Sequence, residues 1–163
     1  MADTKVEVIS HRKEFDAAFE RCVDKALHMV GGLCESTVKE VLTENQSVDT
    51  GLLRNSITYA LTGEPAQISG YTSDDGTISG SYSGNAPVED DENHKSVYVG
   101  TNVEYAPYVE LGHSQEPGRY VPKLGKRLVA SWVNGKPYLR PGVERASTQF
   151  HDIFLLCFGE LDE

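Results

Sequence analysis

The sequence predicts an α+β fold in which a long N-terminal helix and a C-terminal helix flank a small, mostly antiparallel sheet. Three observations support this prediction: helical periodicity near both ends, short alternating apolar segments between them, and a long polar stretch that separates two of those segments. With 163 residues, the chain has the size of one domain. We therefore expect a single domain over residues 1–163, with residues 62–95 as an inserted, acidic and flexible loop.

The first helix is indicated by apolar residues that recur at steps of three or four from Phe15 to Leu42. This spacing predicts an amphipathic helix over residues 11–44, with Ser10 as a plausible N-cap. Gly31 and Gly32 lie in its middle, and each glycine costs about 1 kcal/mol relative to alanine inside a helix. The pattern leaves open whether the helix continues, kinks or breaks there.

A short helix and a strand are predicted next, from the segment SVDTGLLRNSITYAL at residues 47–61. Asp49 or Thr50 can cap a helical turn that directs Leu52 and Leu53 inward. The residues that follow, 57–61, alternate between apolar and polar, as in a strand with one buried face.

Residues 62–95 are polar and acidic. They hold five glycines and seven acids, Glu64, Asp74, Asp75, Glu89, Asp90, Asp91 and Glu92, against the single base Lys95. So few large apolar residues cannot offset the entropy of ordering a long segment. We expect a long polar hairpin or a mobile loop.

Residues 96–113 predict a strand followed by a short helix that reverses the chain direction. We call residues 105–112 the corner. The stretch SVYVGTN alternates so that Val97 and Val99 share one face. Pro107 is compatible with the first turn of a helix over residues 107–111, which Gly112 can end in the left-handed conformation. In this interpretation Tyr108 and Glu110 point outward from the corner.

The remaining chain predicts a basic loop, a strand and a last helix. RLVASWV at 127–133 resembles a strand with Trp132 buried, and residues 136–141 should be extended before Pro137 and Pro141. From Pro141 onward one apolar stripe fits a helix; it consists of Val143, Ala146, Phe150, Ile153 and Cys157. Three apolar residues lie partly off that stripe: Leu155, Leu156 and Phe158.

Composition excludes several classes of protein. The formal net charge of −10 argues against binding nucleic acid through a generally basic surface. The mean hydropathy is −0.40, and no stretch approaches the ~20 apolar residues that a membrane helix needs. The first residues lack a secretory signal, so we expect an intracellular product. Cys22, Cys34 and Cys157 are odd in number and form no CxxC pair, which favours reduced, core-facing thiols.

The sequence carries no recognised catalytic motif: phosphate loops, nucleophile elbows, zincin helices and dinucleotide-binding loops are all lacking. An enzyme would have to use Glu110 with His113, or Asp49. A lone Glu and His on a turn are more often solvated or capping residues, and Asp49 is better explained as a helix cap. We expect no catalytic residue, no metal and no cofactor.

Three segments in order carry a family resemblance: DTGLLRNSI at 49–57, VYVGTNVEYAPYVELGH at 97–113 and GKPYLRPGVERA at 135–146. Together they resemble the head-tail connector family of long-tailed phages that includes the tenth gene product of phage HK97. The resemblance covers residues 47–158 except the loop 62–95, and the first helix agrees in type but not by motif.

The resemblance implies a structural virion protein without catalytic activity, made in the bacterial host cytoplasm. It would form a homo-oligomeric ring in the neck or tail-completion region with other connector and tail proteins. No membrane and no sequence-specific nucleic acid are implied, although DNA would be able to pass through the ring. The residues matching the motifs are Asp49, Thr50, Gly51, Gly100, Tyr105, Pro107, Tyr108, Glu110, Gly112, Pro137 and Pro141.

The backbone properties of the glycines and prolines in these motifs agree with a structural protein. Gly51, Gly100 and Gly112 would be explained by special backbone geometry, and Pro107, Pro137 and Pro141 by a fixed chain direction.

The distribution of charge along the sequence suggests which surfaces of two neighbouring copies come into contact. Residues 119–145 carry seven bases against one acid, so the acidic loop of one copy is expected to approach this basic segment of the next, as in a head-to-tail ring. The interface candidates are Arg119, Lys123, Lys126, Arg127, Leu155, Leu156 and Phe158. Two rival interpretations remain: a small hydrolase, and a monomeric acidic adaptor or inhibitor.

Overall fold

The computed structural model describes residues 11–47, 50–88, 95–122 and 125–159. Asp49, Lys123 and the four acids at 89–92 lie outside the described residues. The helices are α1 (Arg12–Glu44), α2 (Leu52–Ser56), α3 (Ala106–Leu111), α4 (Leu139–Ser147) and α5 (Phe150–Gly159). The strands are β1 (Thr58–Leu61), β2 (Gly70–Thr72), β3 (Ser79–Ser81), β4 (Val97–Gly100), β5 (Gly112–Ser114), β6 (Tyr120–Val121), β7 (Lys126–Arg127) and β8 (Trp132–Asn134). This composition confirms the α+β class.

The strands form short antiparallel pairs: β1 with β4, β2 with β3, β5 with β8, and β6 with β7. In the first pair Thr58 lies opposite Gly100, and Leu61 lies opposite Val97. The central pair packs against α1, while β5–β8 and β6–β7 extend from the end of α3 as exposed ribbons. The pairing is antiparallel as predicted, but in the described residues the expected small sheet is divided into separate two-stranded pairs.

Helix α1 runs unbroken for 33 residues and passes through Gly31 and Gly32. The ring of Tyr59 lies directly on Gly31, where an added Cβ atom would collide with it. A glycine here lets the strand side chain approach the helix backbone, and the resulting packing offsets the low helix propensity of glycine.

The core lies against the second half of α1. Its fully buried side chains include Val38, Leu42, Ile57 and Tyr138, and Val103 and Ala106 complete the cluster from the corner after β4. The three cysteines are buried and form no disulfide, which confirms the prediction of core-facing thiols. Burial raises the pKa of the Cys34 thiol.

The last helix is divided, which corrects the prediction of one helix from Pro141. Helix α4 already begins at Leu139, so residue 140 is helical rather than extended. Helix α5 begins again at Phe150. The hydroxyls of Ser147 and Thr148 donate to the carbonyls of Glu144 and Arg145, and such local hydrogen bonds compete with a regular helix. Ala146 and Cys157 are fully buried, so the predicted stripe does face α1.

The described part of the acidic segment, residues 62–88, contains the β2–β3 hairpin. The hydroxyl of Tyr82 donates to the carbonyl of Ser56 over 2.6 Å, and the hydroxyl of Tyr71 donates to Asn102 over 2.6 Å. Arg54 pairs with Asp74 at 2.8 Å. These contacts join the hairpin to α2 and to the chain after β4, and flexibility of the whole segment 62–95 stays a prediction.

Trp132 is the clearest error in the predicted burial. Its side chain is 52% exposed, because it lies on β8, which forms a two-stranded ribbon with β5 in the described part of the chain. Strand character in residues 127–133 is limited to β7 and β8 at the two ends of the stretch. In the described part of the chain, the helices are too short or too polar to cross a membrane.

Candidate docking surfaces

Glu110 acts as a long-range helix cap. Its Oε2 atom accepts hydrogen bonds from the backbone N–H groups of Tyr138 at 2.7 Å and Leu139 at 3.0 Å. These groups open α4, where the helix has unpaired donors and a partial positive charge. Glu110 therefore does not point outward as predicted; it holds α3 against the start of α4, whereas Tyr108 is exposed.

Gly112 makes the corner possible. Its φ is 85° and its ψ is 175°, a conformation almost restricted to glycine. This ψ differs from the left-handed helical value that we predicted. An added Cβ atom would also collide with the backbone carbonyl of Val133. Gly51 has a φ of 75°, so special backbone geometry explains a glycine there as predicted. The same prediction was wrong for Gly100, which has no positive φ and has open space where a Cβ atom would lie.

An apolar groove lies beside this corner, which we call the corner groove. Its volume is about 410 Å³, and it is lined mainly by Tyr105, Tyr108, Val109, His113, Val133 and Lys136. The rings of Tyr108 and His113 meet edge to face, with centroids 5.8 Å apart. The Nδ1 atom of His113 is buried and has no hydrogen-bond partner among the described residues.

A second hollow adjoins the corner groove at His113 and continues along β6 to Arg119 and Tyr120. Arg127 lies over the ring of Tyr120, with its guanidinium carbon 6.0 Å from the ring centroid, and donates to the carbonyl of Gly118. Arg119, Lys126 and Arg127 are exposed. We call this region the basic ribbon.

Ion pairs within the chain neutralise part of the predicted charge pattern. Arg145 makes two hydrogen bonds of 2.8 Å to Glu44, which lower the pKa of that carboxyl, and Arg140 pairs with Glu144 at 2.8 Å. In the acidic segment, hydrogen bonds from Ser73 and Thr77 lower the pKa of Asp75. In the described part of residues 119–145, the ion pairs thus involve Arg140 and Arg145, whereas the basic ribbon keeps Arg119, Lys126 and Arg127 exposed.

A third surface, the helix-end surface, lies where the first turns of α1 meet α5. Its aromatic rings contact one another in series: Phe15 stacks on Phe19 with centroids 6.3 Å apart, and Phe19 meets Phe158 at a tilt with centroids 5.3 Å apart. Leu155 and Leu156 are 59% and 60% exposed beside them. Phe158 is used within its own chain, so Leu155 and Leu156 are the exposed members of the predicted interface trio.

The corner groove and the helix-end surface lie at opposite ends of α1. Cys157 contacts Met29, with sulfur atoms 3.7 Å apart, whereas Lys136 of the corner groove donates to the carbonyl of Asn45 over 2.8 Å. At ~1.5 Å per residue, the two surfaces are roughly 25 to 40 Å apart along the helix axis.

The residues considered for catalysis do not converge. Glu110 is occupied by the backbone of α4, His113 contacts Tyr108, and Asp49 lies outside the described residues. Among the described residues, no group of three or more His, Cys, Asp or Glu side chains could hold a metal ion. Instead, the chain exposes many large apolar side chains at its two ends, a feature of proteins that assemble with others.

The chain belongs to a family of phage tail components. A family model described as "Bacteriophage HK97-gp10, putative tail-component" matches residues 3–112, which confirms the resemblance and indicates a structural component of a phage virion. The match includes α1 and ends at Gly112, so α4 and α5 lie beyond it. Searches of the curated proteins and of the solved structures found no match.

Sequence reasoning missed the cap and the groove for one reason. Glu110 and the start of α4 are 28 and 29 residues apart, so no local capping pattern connects them. The corner groove likewise combines side chains from α3, β5 and β8. The available signals were the glycine at 112 and four tyrosines near proline-containing turns, Tyr105, Tyr108, Tyr120 and Tyr138.

Proposed function

We propose that this chain is a structural virion protein of a tailed phage or prophage that joins head and tail in the neck or tail-completion region. It acts there as a ring of identical subunits that contacts other connector and tail proteins, and DNA passes through the ring lumen. Synthesis takes place in the host cytoplasm. The chain works as one domain and uses neither a catalytic step nor a cofactor.

The observation that carries this proposal is the presence of two unlike apolar surfaces at opposite ends of α1. A two-fold dimer uses the same patch on both subunits, whereas a head-to-tail contact joins different patches and closes into a ring when the rotation allows. The corner groove with its basic ribbon differs in shape and charge from the helix-end surface. Family membership supplies the phage context.

The absence of catalysis is part of the proposal, and Glu110 supports it. A general acid or base needs its carboxyl within reach of a substrate proton, but this carboxylate is held by backbone donors. A hydrolytic activity that Glu110→Ala abolishes in a folded protein would contradict this part.

The experiment is a deletion of the gene from the phage that encodes it, followed by electron microscopy of the lysate. We expect full heads and complete tails that are not joined, and restoration of joined particles by the purified protein. Gold-labelled antibody against the chain should mark the neck or the upper end of the tail. Joined, infectious particles in the absence of the chain would overturn the proposal.

A further inference from the structure

We propose that the corner groove of one subunit receives Leu155 and Leu156 from the helix-end surface of the next subunit. This inference rests on the proposed ring function and names the two surfaces that make its subunit contact. The occupant of the groove is a second copy of this chain.

The first step is that the groove is apolar, accessible and incomplete. Tyr105, Tyr108 and Val133 line it, and Tyr108 is 59% exposed. The buried Nδ1 atom of His113 has no partner among the described residues, and buried polar atoms are normally hydrogen-bonded. A carbonyl from the last turn of an incoming helix, which has no partner within that helix, would accept a hydrogen bond from the Nδ1–H tautomer.

The second step is that Leu155 and Leu156 are apolar, like the lining of the groove, and are exposed in their own subunit. The neighbouring Cys157 is fully buried against α1, while both leucines are exposed. Because the groove and α5 lie at opposite ends of α1, one chain cannot fill its own groove. A contact between these two surfaces therefore joins two copies, and repeating it gives a head-to-tail chain of subunits.

The third step is charge complementarity at the rim of the contact. Directly after α5 the sequence continues with Glu160, Leu161, Asp162 and Glu163. Beside the groove, the basic ribbon exposes Arg119, Lys126 and Arg127. Rim charges of opposite sign steer encounter and set orientation, while the apolar contact supplies affinity.

This assignment changes the acidic partner that the charge pattern alone suggested. In residues 62–88, Asp74 is paired with Arg54 and Asp75 is held by Ser73 and Thr77. These carboxylates are already engaged within the subunit, whereas the first acid after α5, Glu160, lies four residues after Leu156 in the sequence.

The experiment is cysteine cross-linking in assembled phage particles. The test pair is Tyr108→Cys with Leu156→Cys in one chain, treated with a short bis-maleimide, and the products are separated on a denaturing gel. The native cysteines are buried, so they should contribute little background. The matched control pair replaces Leu156→Cys by Val88→Cys, which is also strongly exposed, at 71%.

The expected result is a ladder of covalent multimers from the test pair, with single-cysteine chains and the control pair at background. A dimer from Tyr108→Cys alone would indicate a two-fold contact and overturn the inference. So would an equal ladder from the control pair. Joined particles that contain the chain but give no ladder would overturn the inference and leave the proposed function standing. Joined particles that lack the chain would overturn both.

A charge exchange tests the rim separately. Arg119→Glu with Lys126→Glu should lower multimer yield about tenfold at low salt, with a smaller loss at high salt. Adding Glu160→Lys and Asp162→Lys in the same chain should restore the yield at low salt. A reversal without effect, or a loss that the second pair does not restore, would overturn the rim contact.

Discussion

The two halves of α1 have similar apolar periodicity but different surroundings. In the second half, Val38 and Leu42 are fully buried, because α2, α4 and Tyr138 cover that part of the helix. In the first half, Cys22 and Ala26 are buried, but Phe15 is 57% exposed and Phe19 is also exposed. Helix α5 packs near these exposed side chains, through the contact of Phe158 with Phe19.

The difference shows that an apolar stripe indicates a contact without indicating which molecule makes it. The buried half contributes to the stability of the subunit, since burial of apolar side chains drives folding. The exposed half keeps apolar side chains that the subunit does not cover, as expected for a contact with another chain. Three substitutions and one pH titration test this division, in order of decreasing expected effect.

Leu42→Ala tests the buried half. Removing a fully buried leucine side chain should lower the free energy of unfolding by about 3 to 5 kcal/mol, from lost burial and the remaining cavity. Urea denaturation of the purified protein measures this loss. A loss below about 1 kcal/mol would show that the core there is not packed as described.

Alkaline titration tests the burial of Tyr138 beside Leu42. Burial, and then the negative charge of Glu110, raise the pKa of Tyr138 to about 12, so the folded state favours the neutral phenol. This preference contributes fully to the free energy of unfolding below the ordinary tyrosine pKa of about 10. The free energy of unfolding then falls by about 3 kcal/mol in total as pH rises through 12.

Tyr138→Phe is the control for this titration. The phenol oxygen has no hydrogen-bond partner among the described residues, so the substitution should leave neutral-pH stability unchanged or slightly higher. It should also remove most of the loss between pH 10 and 12. An equally steep loss in the Phe variant would assign the transition to other groups.

Glu110→Ala tests the cap that joins the corner to the buried half. Losing an acceptor for two backbone N–H groups should lower the free energy of unfolding by about 1 to 2 kcal/mol. Glu110→Gln retains one acceptor oxygen and should lose less. Glu104→Ala, at an exposed position, is the matched control, and an equal loss there would contradict the capping role.

Phe15→Ala tests the exposed half and should have the smallest effect on the subunit. Because Phe15 makes only a loose stack on Phe19, the free energy of unfolding should change by about 0.5 kcal/mol or less. Thermal and urea unfolding of the monomer provide the measurement. A loss near that of Leu42→Ala would remove the distinction between the halves.

The predictable parts of this fold are those that local patterns encode. Helix α1, the strands β1 and β4, and the stripe from Val143 to Cys157 follow from periodicity over a few residues. The errors at Trp132, at the break between α4 and α5 and at Glu110 all involve the region from α3 to α5. There the surroundings of a residue depend on segments far away in the sequence.

The candidate surfaces were only partly predictable for the same reason. Leu155 and Leu156 were singled out because they lie off the helical stripe, and their exposure agrees with that. The corner groove was not foreseen, since it forms only when Gly112 turns β5 alongside β8.

By itself, the sequence determined the α+β class, the family and the elements built from short-range periodicity, because spacing along the chain is enough to specify a helix face or a strand face. Only the tertiary structure decided that Glu110 caps α4, that Trp132 is exposed and that one end of α1 is covered while the other is not. These outcomes depend on long-range contacts, whose partners the local pattern does not name.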